Sequence, residues 1–233
     1  GTGKTFAYLA PALVFGKKTI ISTGSKNLQD QLFNRDLPAI KKALNFTGKI
    51  ALLKGRANYL CLERLDQVIA QGVLGDKSVL AELSKVRKWN NSTKTGDFTE
   101  CIELAEDSPI IPQLTSTAES CLGTDCPNYS ECYVASARKK ALNADLVVVN
   151  HHLFFADVKE SGFGELIPNA EVIIFDEAHQ LPDIASQYFG QSLTSLQLFD
   201  LCKDINIVYR TELKDMQQLG TTSDTLLKVV QDF

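Results

Sequence analysis

The sequence predicts an α/β fold built on a parallel sheet, and three observations point there. Four short apolar runs, KKTIIST, KIALLKG, ADLVVVN and AEVIIFDEAH, are rich in β-branched residues, as buried strands are. Stretches with helical spacing separate them, which argues for a parallel sheet rather than a sandwich. Apolar residues make up 44% of the 233 residues, enough for a sizeable core in one large domain or two modest ones.

Taken in order, FAYLAPALVF after the opening GTGKT is apolar at helical spacing, with Pro11 expected to end or kink the helix. KKTIIST reads as a buried strand, and Thr23 or Ser25 as the cap of a helix in KNLQDQLFNRDL. KIALLKG is a second strand, ended by Gly55. NYLCLERLDQVIA repeats apolar residues at Leu60, Leu62, Leu65, Val68 and Ile69, the pattern of a helix. From about residue 71 to 131 the chain turns to Ser, Thr, Asn, Gly, Pro and acidic residues without strong periodicity. An irregular insertion of that kind is expected to bury little surface and to need a staple. VASARKKAL then reads as a helix, ADLVVVN as a strand, and AEVIIFDEAH as an apolar strand ending in carboxylates. Beyond Leu181 the pattern is helical, with Leu196, Phe199, Ile205 and Val208 as apolar positions. No internal repeat is visible.

Charge is 24 − 28 = −4, so no global basic character advertises a nucleic-acid partner, although a locally basic groove is compatible with it. No run approaches the roughly 20 apolar residues of a membrane span, and no signal-peptide pattern opens the chain. A soluble intracellular protein is the expectation. The only methionine is Met216, and the chain closes inside the apolar-periodic run LLKVVQDF. The expectation is therefore a fragment cut at both ends.

Two motifs carry chemistry. GTGKT matches the end of the phosphate loop G-x-x-x-x-G-K-[ST], with Gly3, Lys4 and Thr5 as its last three positions and its first glycine upstream of Gly1. Backbone N–H groups around Gly1, Thr2 and Gly3 at a helix N-terminus suit phosphate oxygens; Lys4 suits β/γ-phosphate charge, and the Thr5 hydroxyl suits Mg²⁺. VIIFDEAH places Asp176 and Glu177 at the carboxyl end of a buried strand, the edge where open α/β sheets bind ligands. Asp176 is the expected Mg²⁺ ligand, and Glu177 the group that positions and deprotonates the attacking water. Together they predict a nucleoside-triphosphate site with Lys4, Asp176 and Glu177 as its catalytic residues.

Six cysteines, with no secretory signal, point to metal or cluster ligation before disulfides. Cys121, Cys126 and Cys132 stand close in sequence, and Cys61, following KGRANY, is the best candidate for a fourth ligand. Cys101, among acids, reads as packing or surface, and Cys202, in an apolar helix, as a buried small hydrophobe. Spacing leaves zinc and a [4Fe–4S] cluster both open. Adjacent residues on a strand point to opposite faces, which argues against a zinc pair at His151 and His152.

The tetrapeptide Asp176-Glu177-Ala178-His179 is the DEAH box of superfamily 2 helicases. TIISTGSKNLQDQL resembles the motif Ia region of the DinG- and XPD-like branch, ADLVVVNHHLFFAD its Asn-His-His segment, and LLKGRANYLCLERL the entry to its iron–sulfur domain. The chain thus resembles the DinG/YoaA-type (Rad3/XPD-like) iron–sulfur DNA helicases. The resemblance implies a RecA-like first motor domain over 1–57 and 136–182, an iron–sulfur domain over 58–135, and the start of a helical arch domain over 183–233. It implies ATP and Mg²⁺, and a [4Fe–4S] cluster held by Cys61, Cys121, Cys126 and Cys132. It also implies 5′-to-3′ translocation on single-stranded DNA, action at duplex junctions, and work in DNA repair in the bacterial cytoplasm. His179 would couple the nucleotide site to DNA. Ser22, Thr23, Ser25 and Lys26 would grip the DNA backbone; Lys54, Arg56, Asn58, Tyr59 and Arg138-Lys139-Lys140 are further candidates. The second motor domain is absent from this sequence, so the piece alone is expected to turn ATP over poorly or not at all. The alternative function is a nucleotide-dependent nucleic-acid-binding module without motor activity.

Overall fold

The computed structural model describes residues 3–70, 77–118, 120–161, 170–190, 194–211, 213 and 215–232. Its strands are β1 (Thr19–Thr23), β2 (Ile50–Leu52), β3 (Leu146–Asn150) and β4 (Val172–Phe175). Its helices are α1 (Lys4–Val14), α2 (Lys26–Gln31), α3 (Leu37–Ala43), α4 (Leu62–Ala70), α5 (Lys77–Asn90), α6 (Ile111–Leu114), α7 (Tyr133–Leu142), α8 (His151–Ser161), α9 (Leu181–Phe189), α10 (Ser195–Thr211) and α11 (Gln217–Asp232).

The strands pair in parallel in the order β2-β3-β1-β4, with Thr19 opposite both Leu146 and Val172. β1 and β3 lie inside the sheet and are buried at every position, which is why both read as continuous apolar runs. Alternation then sorts their side chains. Ile21, Leu146 and Val148 face a core with Leu9 and Leu13 of α1 and Leu37 and Ile40 of α3. Ile20, Val147 and Val149 face the opposite core, with Ala137 and Ala141 of α7.

Several local expectations are adjusted. Pro11 sits inside α1, which runs on until Val14, and the Phe15 N–H donates to the Pro11 carbonyl at 2.9 Å. Ser25, not Thr23, caps α2: its hydroxyl accepts from the Leu28 N–H at 3.2 Å. A π-helical stretch, Leu32–Asp36, joins α2 to α3. His151 and His152 open α8 rather than extending β3, and Asn150 caps that helix by accepting from the Leu153 N–H at 2.7 Å.

The insertion differs most from expectation. It is not coreless: α5 contributes Leu83 and Val86 to a cluster with Leu60, Leu65, Cys101, Leu104, Ile110 and Leu114. Trp89 stacks on Phe98 beside it, with ring centroids 5.5 Å apart. Backbone bonds tie its entrance to its return, Leu60 N–H to Gly96 O and Cys61 N–H to Leu114 O, each 2.8 Å. Gly96 has φ 65°, and an added Cβ would stand 2.2 Å from the Tyr133 ring, so no other residue fits this turn.

The chain divides into two compact units, one through Tyr188 and one from Phe189 onwards. In the second, α10 and α11 pack as an antiparallel pair in which Cys202 and Val230 are buried. Val208, an expected apolar position there, is exposed, and the Leu196 side chain lies outside the described residues. No helix among the described residues is long and apolar enough to cross a membrane.

Candidate nucleotide site

Gly3 precedes α1 in the left-handed region, φ 74°, a conformation natural to glycine. Its carbonyl accepts from the Ala7 N–H at 3.1 Å, so the helix starts directly behind it with Lys4 and Thr5 in the first turn. Gly1 and Thr2 lie outside the described residues. At the end of β4, the Asp176 N–H donates to the Ser22 carbonyl at 2.8 Å, extending the parallel ladder one residue past the strand.

These two ends meet through a residue the sequence reading passed over. Tyr8, one turn into α1, donates its phenol to Asp176 Oδ2 at 3.1 Å. Thr5, in the preceding turn of the same helix, also acts on that phenol, opposing the upward push of its other surroundings. Burial, and then the Asp176 charge, push the Tyr8 phenol above its usual range, so it stays protonated and remains a donor. Asp176 Oδ1 in turn accepts the Glu177 N–H at 3.1 Å. The carboxylate is thus held from both sides, and Thr5 and Asp176 are two hard oxygen donors beside one phenol, a set that suits Mg²⁺.

Glu177 adopts φ 53°, ψ 42°, a left-handed conformation that costs a non-glycine residue on the order of 1–3 kcal/mol. The bend ends the strand and turns the chain back into α9. His179 Nδ1 stands 3.4 Å from Glu177 Oε2, so the exposed imidazole attends the carboxylate.

A second unanticipated group lies behind. His151 is fully buried, with Nε2 2.9 Å from the Asp176 carbonyl and Nδ1 2.6 Å from Ser22 Oγ. A carbonyl only accepts, so Nε2 carries the proton, and the neutral ring accepts the Ser22 hydroxyl at Nδ1. Burial holds the imidazole below its ordinary value of 6.5. The unfolded chain therefore binds this proton first: the stabilising contribution is intact above about pH 6.5 and is lost as pH falls through the lowered folded value. His151→Gln is expected to flatten the drop in denaturation midpoint between about pH 7.5 and about pH 5.5; an unchanged drop would contradict the assignment. Close by, an added Cβ on Gly24 would meet Gln180 Oε1, so the turn after β1 lies against the residue that follows the DEAH box.

The cysteines fall into two groups. Cys101 is buried in the apolar core of the insertion, and Cys202 is buried in the second unit. Cys61, Cys121, Cys126 and Cys132 are half-buried. Cys61 directly precedes α4, and it feels the thiols of Cys126 and Cys132. Burial is the main cause that raises its pKa, and those two thiols raise it further. No group of three or more His, Cys, Asp or Glu among the described residues is gathered as a single-ion site. Four half-buried cysteines, two of which act electrostatically on Cys61, are nevertheless the donor chemistry that suits a thiolate-ligated centre.

The DEAD_2 family model matches residues 35–198, more than half of the chain. The chain belongs to the DEAD_2 family. Over 235 residues it is 99% identical to ATP-dependent DNA helicase YoaA of Haemophilus influenzae, covering all of this chain and 37% of that protein. It is 64% identical to ATP-dependent DNA helicase YoaA of Escherichia coli, again over all of this chain and 37% of the relative. It is 32% identical over 255 residues to ATP-dependent helicase DinG of Mycobacterium tuberculosis, covering all of this chain and 38% of that protein. The resemblance to DinG/YoaA-type helicases read from the motifs therefore holds, and the chain spans a little over a third of the length of these relatives.

In this DEAD_2 chain the residues singled out for DNA scatter. Lys54 is buried, with Nζ 2.7 Å from both Asp30 Oδ1 and Asp97 Oδ2 and 3.1 Å from Thr99 Oγ1, so it is committed inside the protein. Tyr59 is buried, and its oxygen accepts the Lys54 N–H, which leaves no stacking face. Asn58 donates to the Gly55 carbonyl, closing a local turn. Ser22 and Thr23 are buried, while Ser25 and Lys26 are exposed. Arg56 and Arg138 line one cavity of about 470 Å³ with Ser116 and Thr117. Lys139 and Lys140 face a different groove, so the basic run divides between two surfaces.

Proposed function

We propose that this chain is part of the first motor domain of an ATP-dependent DNA helicase that moves 5′-to-3′ on single-stranded DNA and serves DNA repair. The observation that carries the reading is the Tyr8–Asp176 hydrogen bond, which draws the phosphate-loop helix and the DEAH strand to one point. The helicase names of the relatives support it.

In this reading the N-terminus of α1 and Lys4 bind the ATP phosphates. Thr5 and Asp176 hold Mg²⁺, which when bound neutralises phosphate charge. Glu177 orients the attacking water and accepts its proton, with His179 fixing the carboxylate. Tyr8 keeps Asp176 aimed. His151 joins Ser22, at the end of β1, to the Asp176 backbone, so displacement of either strand end is felt by the other. Arg56 and Arg138 meet the DNA backbone, contacts that carry no base information.

Cys61, Cys121, Cys126 and Cys132 hold a [4Fe–4S] cluster that fastens the return of the insertion to its entrance. The half-burial of these four and the electrostatic influence of Cys126 and Cys132 on Cys61 support this. Iron analysis and visible absorbance test it. A brown protein that loses its iron in Cys61→Ser is expected; a colourless protein carrying zinc would overturn the cluster.

The full-length protein decides the function. ATP turnover stimulated by single-stranded DNA, with strand separation of 5′-tailed duplexes, is expected. Nucleotide-dependent DNA binding without either would favour a binding module instead.

A further inference from the structure

Among the described residues β2 ends the sheet, paired with β3 on one side only. Beside its open edge lies a groove of about 690 Å³, used by neither the nucleotide site, nor the cysteines, nor Arg56 and Arg138. Lys49, Ile50, Ala51 and Leu52 all line it. Consecutive strand residues reach one cavity only across an edge, because side chains alternate between faces.

The hydrogen bonds show which backbone groups are open. Lys49 O accepts from Asp145 N and Leu146 N, and Leu53 N donates to Val148 O, so the odd-numbered residues face β3. By alternation, the N–H and C=O of Ile50 and Leu52 point into the groove. Phe33 bounds it on one face of the sheet and Ala137 on the other. An unpaired edge between apolar walls is a template for an added strand.

The rim supplies the charge. Lys49, Lys94, Lys139 and Lys140 line the groove and are exposed, and none forms an ion pair with the described residues. The acids nearby are engaged: Asp30 and Asp97 by Lys54, and Glu100 by the Thr95 hydroxyl at 2.6 Å. A basic rim thus surrounds an apolar strand edge on a chain whose net charge is −4. We propose that the free edge of β2 binds an extended acidic segment of a partner protein, which adds to the sheet as a fifth parallel or antiparallel strand. Single-stranded DNA fits the groove less well. Its aromatic side chains offer no open stacking platform, because Tyr59 is buried, Phe33 is half-buried in the sheet's core and Tyr133 is half-buried with its phenol donated to Asn90 Oδ1 at 2.8 Å.

The test uses the full-length protein and a fluorescein-labelled, end-capped peptide alternating Glu with Val or Ile, followed by anisotropy. Saturable binding is expected, weakened at least about tenfold by Lys139→Glu/Lys140→Glu and strongly salt-dependent. The same peptide methylated on its backbone nitrogens keeps side chains and charge but loses its donors, and is expected not to bind. Leu52→Pro removes only an outward N–H and is expected to abolish binding, with a thermal melt checking that the protein still folds. Equal binding of the methylated peptide would overturn the strand-addition proposal. So would no peptide binding at all, or oligothymidine binding that is lost in Lys139→Glu/Lys140→Glu while the peptide fails to bind.

Discussion

Glu177→Gln in the full-length protein is expected to lower DNA-stimulated ATP turnover by about 10²–10⁴-fold, the contribution of a positioned general base, while nucleotide binding survives. The substitution keeps size and hydrogen-bonding capacity and removes only the proton acceptor. The geometry makes the separation clean. Asp176 is held through the Tyr8 phenol and the Glu177 backbone N–H, and neither uses the Glu177 carboxylate. The left-handed backbone at Glu177 is equally open to glutamine, so the turn stays where it is. Tyr8→Phe makes the complementary change: it leaves the base intact and frees Asp176 Oδ2. It should weaken metal–nucleotide binding and raise KM more than it lowers kcat. Initial rates over a range of ATP and Mg²⁺ concentrations separate the two. Full turnover in Glu177→Gln would remove the residue from the chemistry.

Lys54→Met carries the largest expected effect on stability, about 3–5 kcal/mol, the cost of breaking a buried ion pair from one side. The Lys54 side chain is 1% exposed and joins three segments: Asp30 on α2, its own position after β2, and Asp97 with Thr99 in the insertion. Removing the cation leaves two carboxylates facing each other with nothing between them. Asp30→Asn should cost much less, because Asp30 is 25% exposed and Asp97 still neutralises the lysine. Denaturant midpoints at constant m-value give both numbers. A loss in Lys54→Met no larger than that of a surface substitution would contradict the triad.

The sheet and the nucleotide motifs were legible because each is written contiguously. TIIST and LVVVN are buried on both faces and so are apolar throughout, and GTGKT and DEAH need no distant partner to be seen. Lys54 reads as a DNA contact in sequence because lysines are almost always exposed, and the acids that bury it come from residues 30 and 97. Helix α5 was missed because it offers its core little beyond Leu83 and Val86, in a stretch otherwise dominated by polar and charged residues. The core it joins is assembled from residues spread over 60 to 114, so no local window contains it. Tyr8 looked like one more apolar position of an amphipathic helix. Its function depends on Asp176, 168 residues away. His151 was placed on a strand because nothing in VVVNHH marks where β3 gives way to α8, although Asn150 is a fair cap signal in retrospect.

The central claim, that the start of α1 and the end of β4 form one metal–nucleotide site, is tested most directly by electron paramagnetic resonance of Mn²⁺ bound with a non-hydrolysable ATP analogue to the full-length protein. Thr5→Val and Asp176→Asn should each weaken the bound-Mn²⁺ signal, and the double variant should lose little more than the stronger single one, because both side chains serve the same ion. Fully additive losses, or a signal indifferent to either substitution, would show that the two motifs do not share a metal.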